Sequence, residues 1–349
     1  MSRFRILFSR RPRYSEAAAR FVHNGRAWRC PPHPSSPAAM AAPCYSRLLF
    51  CRTLILQTVP NPVRLERRLA SDSGKTFRTP ACFHLFYLEV NLHLMADRFS
   101  GIMDLKLERA DAKNAISKEM VRGLQSAIEE IDKDSSVKVV LISSSVPRVF
   151  CAGADLKERR LMTASEIKQF VNSLRSTFSS LEALAIPTIA VIEGAALGGG
   201  LEMALSCDLR VCGEDATFSM PETGLAIIPG AGGTQRLPRI VGISVAKELI
   251  FTARRCPGRE ALSIGLVNYC VPAGSAYNKA LQIARDMNDK GPLAIKMAKK
   301  AIDEGMLQVD FSSAMSIEGD CYGQLLHSQD RLEGLAAFAE KRKAQYAGK

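Results

Sequence analysis

Histidine is scarce where it would matter most. The 349-residue chain has five, and four of them (His23, His33, His84, His93) precede residue 100, leaving His327 alone in the rest. A Ser-His-Asp triad or a multi-histidine metal site is therefore hard to build, and no metal is expected. None of the ten cysteines stands in CxxC spacing, so they read as thiols of a reducing compartment, Cys151 included. No apolar run approaches the roughly 18 residues of a membrane-crossing helix, so no span is expected.

Residues 1–60 lack lysine and hold a single acid, Glu16, against ten arginines. They carry +9 of the net +12, so the remainder is close to neutral. An arginine-rich, acid-poor beginning with serines and alanines reads as an organellar transit peptide without fold of its own, over about 1–58. Nucleic acid is an unattractive partner. Lys113, Lys118, Arg122, Lys133 and Lys138 are interspersed with Glu119, Glu129, Glu130, Asp132 and Asp134, whereas phosphate binding needs an uncancelled basic stripe.

From Ser100 the chain alternates strands and helices. Ser117 is placed to cap a helix running to Ile131, and Val139-Val140-Leu141-Ile142 has the unbroken apolar character of a strand buried on both faces. Thr163 and Glu166 fit a capping box opening a helix to Leu184; strands follow at 187–192 and 208–212. The alternation predicts a right-handed α/β winding. Val63–Arg67 and 102–108 both alternate as strands, and the aromatic stretch between them, about 75–99, reads as an insertion projecting as a loop.

The chemistry-bearing residues are two glutamates. Glu202 follows Gly198-Gly199-Gly200, and Glu222 stands between Pro221 and the cluster Gly230-Ala231-Gly232-Gly233. Glycines permit close backbone approach and leave peptide N–H groups bare. At a helix start such groups, next to a carboxylate, suit stabilisation of a developing oxyanion together with proton transfer. A glutamate is ordinarily a solvated surface residue. Glu202, however, is embedded among Leu201, Met203, Ala204 and Leu205, surroundings that would raise its pKa.

A third segment, Phe150-Cys151-Ala152-Gly153-Ala154-Asp155-Leu156-Lys157, precedes the glycine triplet. With the tail Asp330–Arg342, these motifs in this order resemble the crotonase (enoyl-CoA hydratase/isomerase) superfamily from about Ser100 to Lys349. The nearest groups are mitochondrial enoyl-CoA hydratases and methylglutaconyl-CoA hydratases.

The resemblance implies a crotonase-type spiral of ββα units over 59–243 and a helical C-terminal region over 244–349 that makes homotrimers or homohexamers. It also implies a mitochondrial matrix location. The substrate would be an acyl-CoA thioester, with coenzyme A part of the substrate and no separate cofactor. By the same resemblance Glu202 and Glu222 are catalytic, and the N–H groups of Ala154 and Gly199 form an oxyanion hole. Arg148, Ala152, Asp155, Leu156, Lys157, Phe338 and Lys341 are placed near coenzyme A. Hydration of the 2,3-double bond is the expected reaction. Methylglutaconyl-CoA hydration with possible RNA binding, or double-bond isomerisation, stands as the alternative.

Overall fold

The computed structural model describes residues 84–87, 89–94 and 100–349. The expected leader and Val63–Arg67 lie outside them. The opening strands are β1 (His84–Tyr87), β2 (Val90–Leu94) and β3 (Ile102–Leu107), an antiparallel meander in which Val90 faces Leu107 and Leu94 faces Met103. Over these two strands the expected projecting loop is replaced by paired backbone, and the rest of 75–99 lies outside the described residues. Val90-Asn91-Leu92-His93-Leu94 alternates as a strand should, and pairing it with β3 satisfies backbone groups that a free edge would leave open.

Helix α1 (Lys118–Lys133) begins at Ser117, whose hydroxyl accepts the Met120 N–H. Its buried residues Met120, Val121, Leu124, Ala127, Ile128 and Ile131 recur every three to four positions, the stripe of a helix lying on a core. Lys118 pairs with Glu166 and Lys133 with Glu129, so two of its lysines are neutralised locally.

Three strand–strand–helix units follow. The first is β4 (Val139–Ser144), β5 (Val149–Cys151), the single turn α2 (Leu156–Arg159) and α3 (Ala164–Glu182). The capping box of Thr163 and Glu166 opens α3 as the sequence predicts. The second is β6 (Thr188–Ile192), β7 (Ala195–Leu197) and α4 (Gly199–Leu205). The third is β8 (Leu209–Gly213), β9 (Thr217–Ser219), a 3-10 turn over Pro221–Leu225 and α5 (Gly233–Val241).

The chain continues through α6 (Ile243–Thr252), β10 (Cys256–Pro257), α7 (Gly258–Ser263), β11 (Tyr269–Val271) and α8 (Ala276–Asn288). It ends in α9 (Pro292–Gly305), α10 (Phe311–Gly323) and α11 (Gln329–Glu340).

Each unit adds one strand to each of two sheets. The larger runs β1-β2-β3-β4-β6-β8-β11, parallel from β3 onward; the smaller runs β10-β9-β7-β5, with β5, β7 and β9 parallel. Val140 and Ile142 face the main core, while Val139 and Leu141 face α8 through Ala276, Ala280 and Ala284. That two-sided burial explains the unbroken apolar run of β4. The architecture is the spiral of ββα turns that the resemblance implies, and it sets the C-terminal ends of β5, β7 and β9 side by side.

Candidate active site

Those three neighbouring strand ends carry the candidate chemistry. Ala154 follows β5, Gly199 follows β7 and opens α4, and Glu222 follows β9; all three, with Glu202, line one cleft of about 1860 Å³. Ligands of open parallel sheets gather at such carboxyl ends. A Cβ placed on Gly199 would lie 3.7 Å from the Ala154 nitrogen, so the two amides are neighbours. Among the described residues, neither N–H donates to another protein group.

Close approach dictates the glycines here. Gly198 has φ +50°, and a Cβ there would sit 2.6 Å from Glu222 Oε1. A Cβ on Gly200 would fall 2.4 Å from the Cys151 carbonyl oxygen. Any side chain at either position would push α4 away from β5 or displace the second carboxylate.

The two glutamates are held differently. Glu202 is 3% exposed, and its Oε1 accepts the N–H of Ala231 at 2.8 Å and of Gly233 at 2.7 Å. Burial raises its pKa; the Gly233 and Ala231 amides, and then Arg236 and Arg175, pull it back only in part. Glu222 rides on the 3-10 turn with Oε2 enclosed and without a hydrogen-bond partner among the described residues. Burial, reinforced by the nearby charge of Glu202, pushes its pKa up to about 7.

The second glycine cluster thus serves Glu202 itself. Its amides, 29 and 31 residues downstream, clamp the carboxylate, a long-range contact that glycine content alone does not reveal. Buried Arg210 was also missed. Its Nη1 donates to the Cys207 carbonyl at 2.8 Å and to that of Ala204 at 3.4 Å, and its Nε to the Leu266 carbonyl at 2.8 Å. A cation is favourable at that end of α4, where carbonyls run out of partners.

Ala152 and Leu156 line the cleft with the core residues. Arg148, Asp155, Lys157, Phe338 and Lys341 do not. Arg148 occupies an exposed turn with φ 61°. Asp155 caps α2, accepting the N–H groups of Lys157 and Glu158, and pairs with Arg109 at 2.9 Å. Burial alone would raise the Asp155 pKa, but those donors outweigh it and hold it low. An aspartate just before a helix signals a cap, and that is the role its side chain takes here. Lys157 is solvated, Phe338 is 86% exposed on α11, and Lys341 closes that helix in a left-handed conformation. Burial pushes the Cys151 thiol up to about 12, so it packs rather than reacts. Among the described residues no cluster of His, Cys, Asp and Glu can hold a metal ion, and no helix is long and apolar enough to cross a membrane.

Two free amides beside one buried and one half-buried carboxylate in a ββα spiral agree with what sequence comparison gives. Residues 97–349 match the enoyl-CoA hydratase/isomerase family, and the chain belongs to it. It is 58% identical over 302 residues to the probable mitochondrial enoyl-CoA hydratase 2 of Arabidopsis thaliana, covering 86% of this chain and 91% of that one. It is 47% identical over 264 residues to the mitochondrial methylglutaconyl-CoA hydratase of Mus musculus, covering 74% and 84%. The crystal structure of the Bacillus anthracis enoyl-CoA hydratase superposes with a TM-score of 0.72 at 41% identity, over 75% of this chain and all of that one.

Proposed function

We propose that the chain hydrates 2-enoyl-CoA thioesters, adding water across the 2,3-double bond. The observation that carries this reading is the convergence of Glu202 and Glu222 on one cleft, next to the unoccupied N–H groups of Ala154 and Gly199. The thioester oxygen lies between the two amides, where the enolate charge develops; one such donor is worth about 3–4 kcal/mol in the barrier.

Clamped by two amides, Glu202 keeps its ionised form more readily and takes the proton from water as the oxygen bonds to C3. Glu222, with its raised pKa, holds a proton to deliver to C2. Glu202 ends protonated and Glu222 ionised, and return of one proton through water resets the pair. Moving a double bond within the chain needs no attacking water, so retention of both carboxylates favours hydration over isomerisation.

The relatives named mitochondrial and the arginine-rich first 60 residues support a matrix location with a cleaved leader. Large apolar side chains exposed on the C-terminal helices, Phe311, Leu332, Leu335 and Phe338 among them, support a trimer or a pair of trimers. The test is a panel of enoyl-CoA thioesters assayed by loss of enoyl absorbance, with the 3-hydroxyacyl product identified by mass. Turnover of none of them, or double-bond migration without water uptake, overturns the reading.

A further inference from the structure

Among the described residues, no hydrogen bond from another residue holds the Glu222 carboxyl, yet it has a defined place. Its Oε1 stands where a Cβ on Gly198 would come within 2.6 Å, and its Oε2 is enclosed without a partner. Its direction must then come from the backbone that carries it. That backbone is the 3-10 turn Pro221–Leu225, closed by the Ala226 N–H donating to the Thr223 carbonyl and the Ile227 N–H to that of Glu222. Gly224, Leu225 and Ala226 are exposed. A turn this short, with one side in solvent, has little of its own to stop it rocking.

Thr223 ties it down. Its hydroxyl donates to the Ile250 carbonyl of α6 at 2.6 Å, and among the described residues this is the one side-chain hydrogen bond between the turn and another element. Ile250 lies in the last turn of α6, whose carbonyls run out of helical partners and so can accept a hydroxyl. Thr223 does not line the cleft, whereas Pro221, Glu222 and Leu225 beside it do. It touches no substrate and can act on the reaction only through its neighbour. Ser219 offers a contrast. Its hydroxyl donates to the Ala253 carbonyl at the same helix end, at 3.0 Å, but its backbone is already fixed. It pairs with Leu197 in the smaller sheet, and its carbonyl accepts the Gly198 N–H.

We propose that Thr223 is a positioning residue: its bond to the end of α6 fixes the turn that carries Glu222, and so aims that carboxyl across the cleft toward C2 of the substrate. The inference rests on the hydratase reading and adds to it the residue that keeps the proton donor in place. Burial is the main reason that Glu222 holds its proton; Glu202 on α4 adds to the effect, while its own N–H and Arg159 on α2 oppose it. Helix α6 brings Lys247 and Glu248, both exposed, the second paired with Arg254. Freeing the turn lets water reach the carboxyl. That weakens the largest of these influences and lowers the pKa toward its ordinary value.

Thr223→Val removes the hydroxyl at nearly constant volume. It is expected to lower kcat on the order of 20-fold and to change KM less than about twofold, since the cleft lining is untouched. The alkaline limb of kcat/KM is expected to move to lower pH. Thr223→Ser, which keeps the donor, and Ser219→Ala, whose strand is held by the sheet, are both expected to stay within about threefold of wild type. In a Glu222→Gln background Thr223→Val is expected to cost nothing further, because the group it positions is gone.

Additive losses in that background, an alkaline limb that stays in place, or the same loss from Ser219→Ala overturns the inference in favour of a residue that only supports the fold. A readout without turnover keeps the question apart from the hydratase reading. At pH 8 an ionised Glu222 makes wild type less stable than Glu222→Gln, and the gap between the two reports how firmly the carboxyl is kept from water. With Thr223→Val present in both chains that gap is expected to shrink; an unchanged gap overturns the inference. Failure of wild type on every enoyl thioester removes the hydratase reading, while the stability comparison still decides the hold of Thr223 on Glu222.

Discussion

Glu202 and Glu222 share one cleft and one chemical identity, yet their supports are opposite. Glu202 sits in a helix and is gripped by two amides from a loop that crosses over from the next unit. Glu222 sits on a 3-10 turn with an enclosed oxygen left without a partner. A carboxylate satisfied by N–H donors favours its charge; one that is enclosed and unsatisfied favours its proton. In the proposed hydration, two copies of the same side chain would thereby serve as base and acid through backbone placement alone.

Substitution can break this contrast. Glu202→Gln and Glu222→Gln are each expected to lower kcat on the order of 10³-fold, since each removes one proton-transfer group; steady-state kinetics on the best enoyl substrate decides. Stability should separate the two sites. Glu202→Ala strands the buried N–H groups of Ala231 and Gly233 and is expected to lower unfolding free energy by about 2–4 kcal/mol in denaturant titration.

Gly200→Ala drives a methyl group to 2.4 Å from the Cys151 carbonyl. It is expected to cost about 1–3 kcal/mol and to weaken activity by shifting the Gly199 amide, although no charged group is touched.

pH sharpens the comparison. With Glu222 as the proton donor and its pKa near about 7, kcat/KM should fall roughly tenfold per unit above that value, while protonation of Glu202 sets the acid limb. The same shift has a thermodynamic side. A folded-state pKa raised above the unfolded one contributes stability that is full below about 4.5 and lost as pH rises through about 7. Glu222→Gln, which cannot ionise, is therefore expected to be more stable than wild type at pH 8. The gain is about 1–2 kcal/mol, reduced from the full linkage value because the group is partly open to the cleft. At pH 4 the difference should vanish.

What was legible in the chain was local. The cap at Ser117, the capping box of Thr163 with Glu166, the doubly buried Val139–Ile142 and the glycine triplet before Glu202 all declare themselves within a few residues. The clamp on Glu202 did not, because its donors belong to a later unit that the spiral alone brings back. The strand at Val90–Leu94 was hidden by its aromatic neighbourhood, although Val90, Leu92 and Leu94 alternate. Asp155, placed near coenzyme A by the resemblance, also caps α2 and pairs with Arg109, contacts that depend on a partner 46 residues earlier in the chain.

Part of the cleft wall comes from α9 and the turn after it, with Met297, Ile302 and Leu307, about a hundred residues beyond the glycine triplet. The parts that would shuttle hydrogen in the proposed reaction and the parts that would gauge a guest's shape are consequently stitched from separate stretches of polypeptide. A lineage can retailor the tail for bulkier or shorter guests while its reactive centre stays untouched, so divergence in what is accepted need leave no trace in how it is transformed.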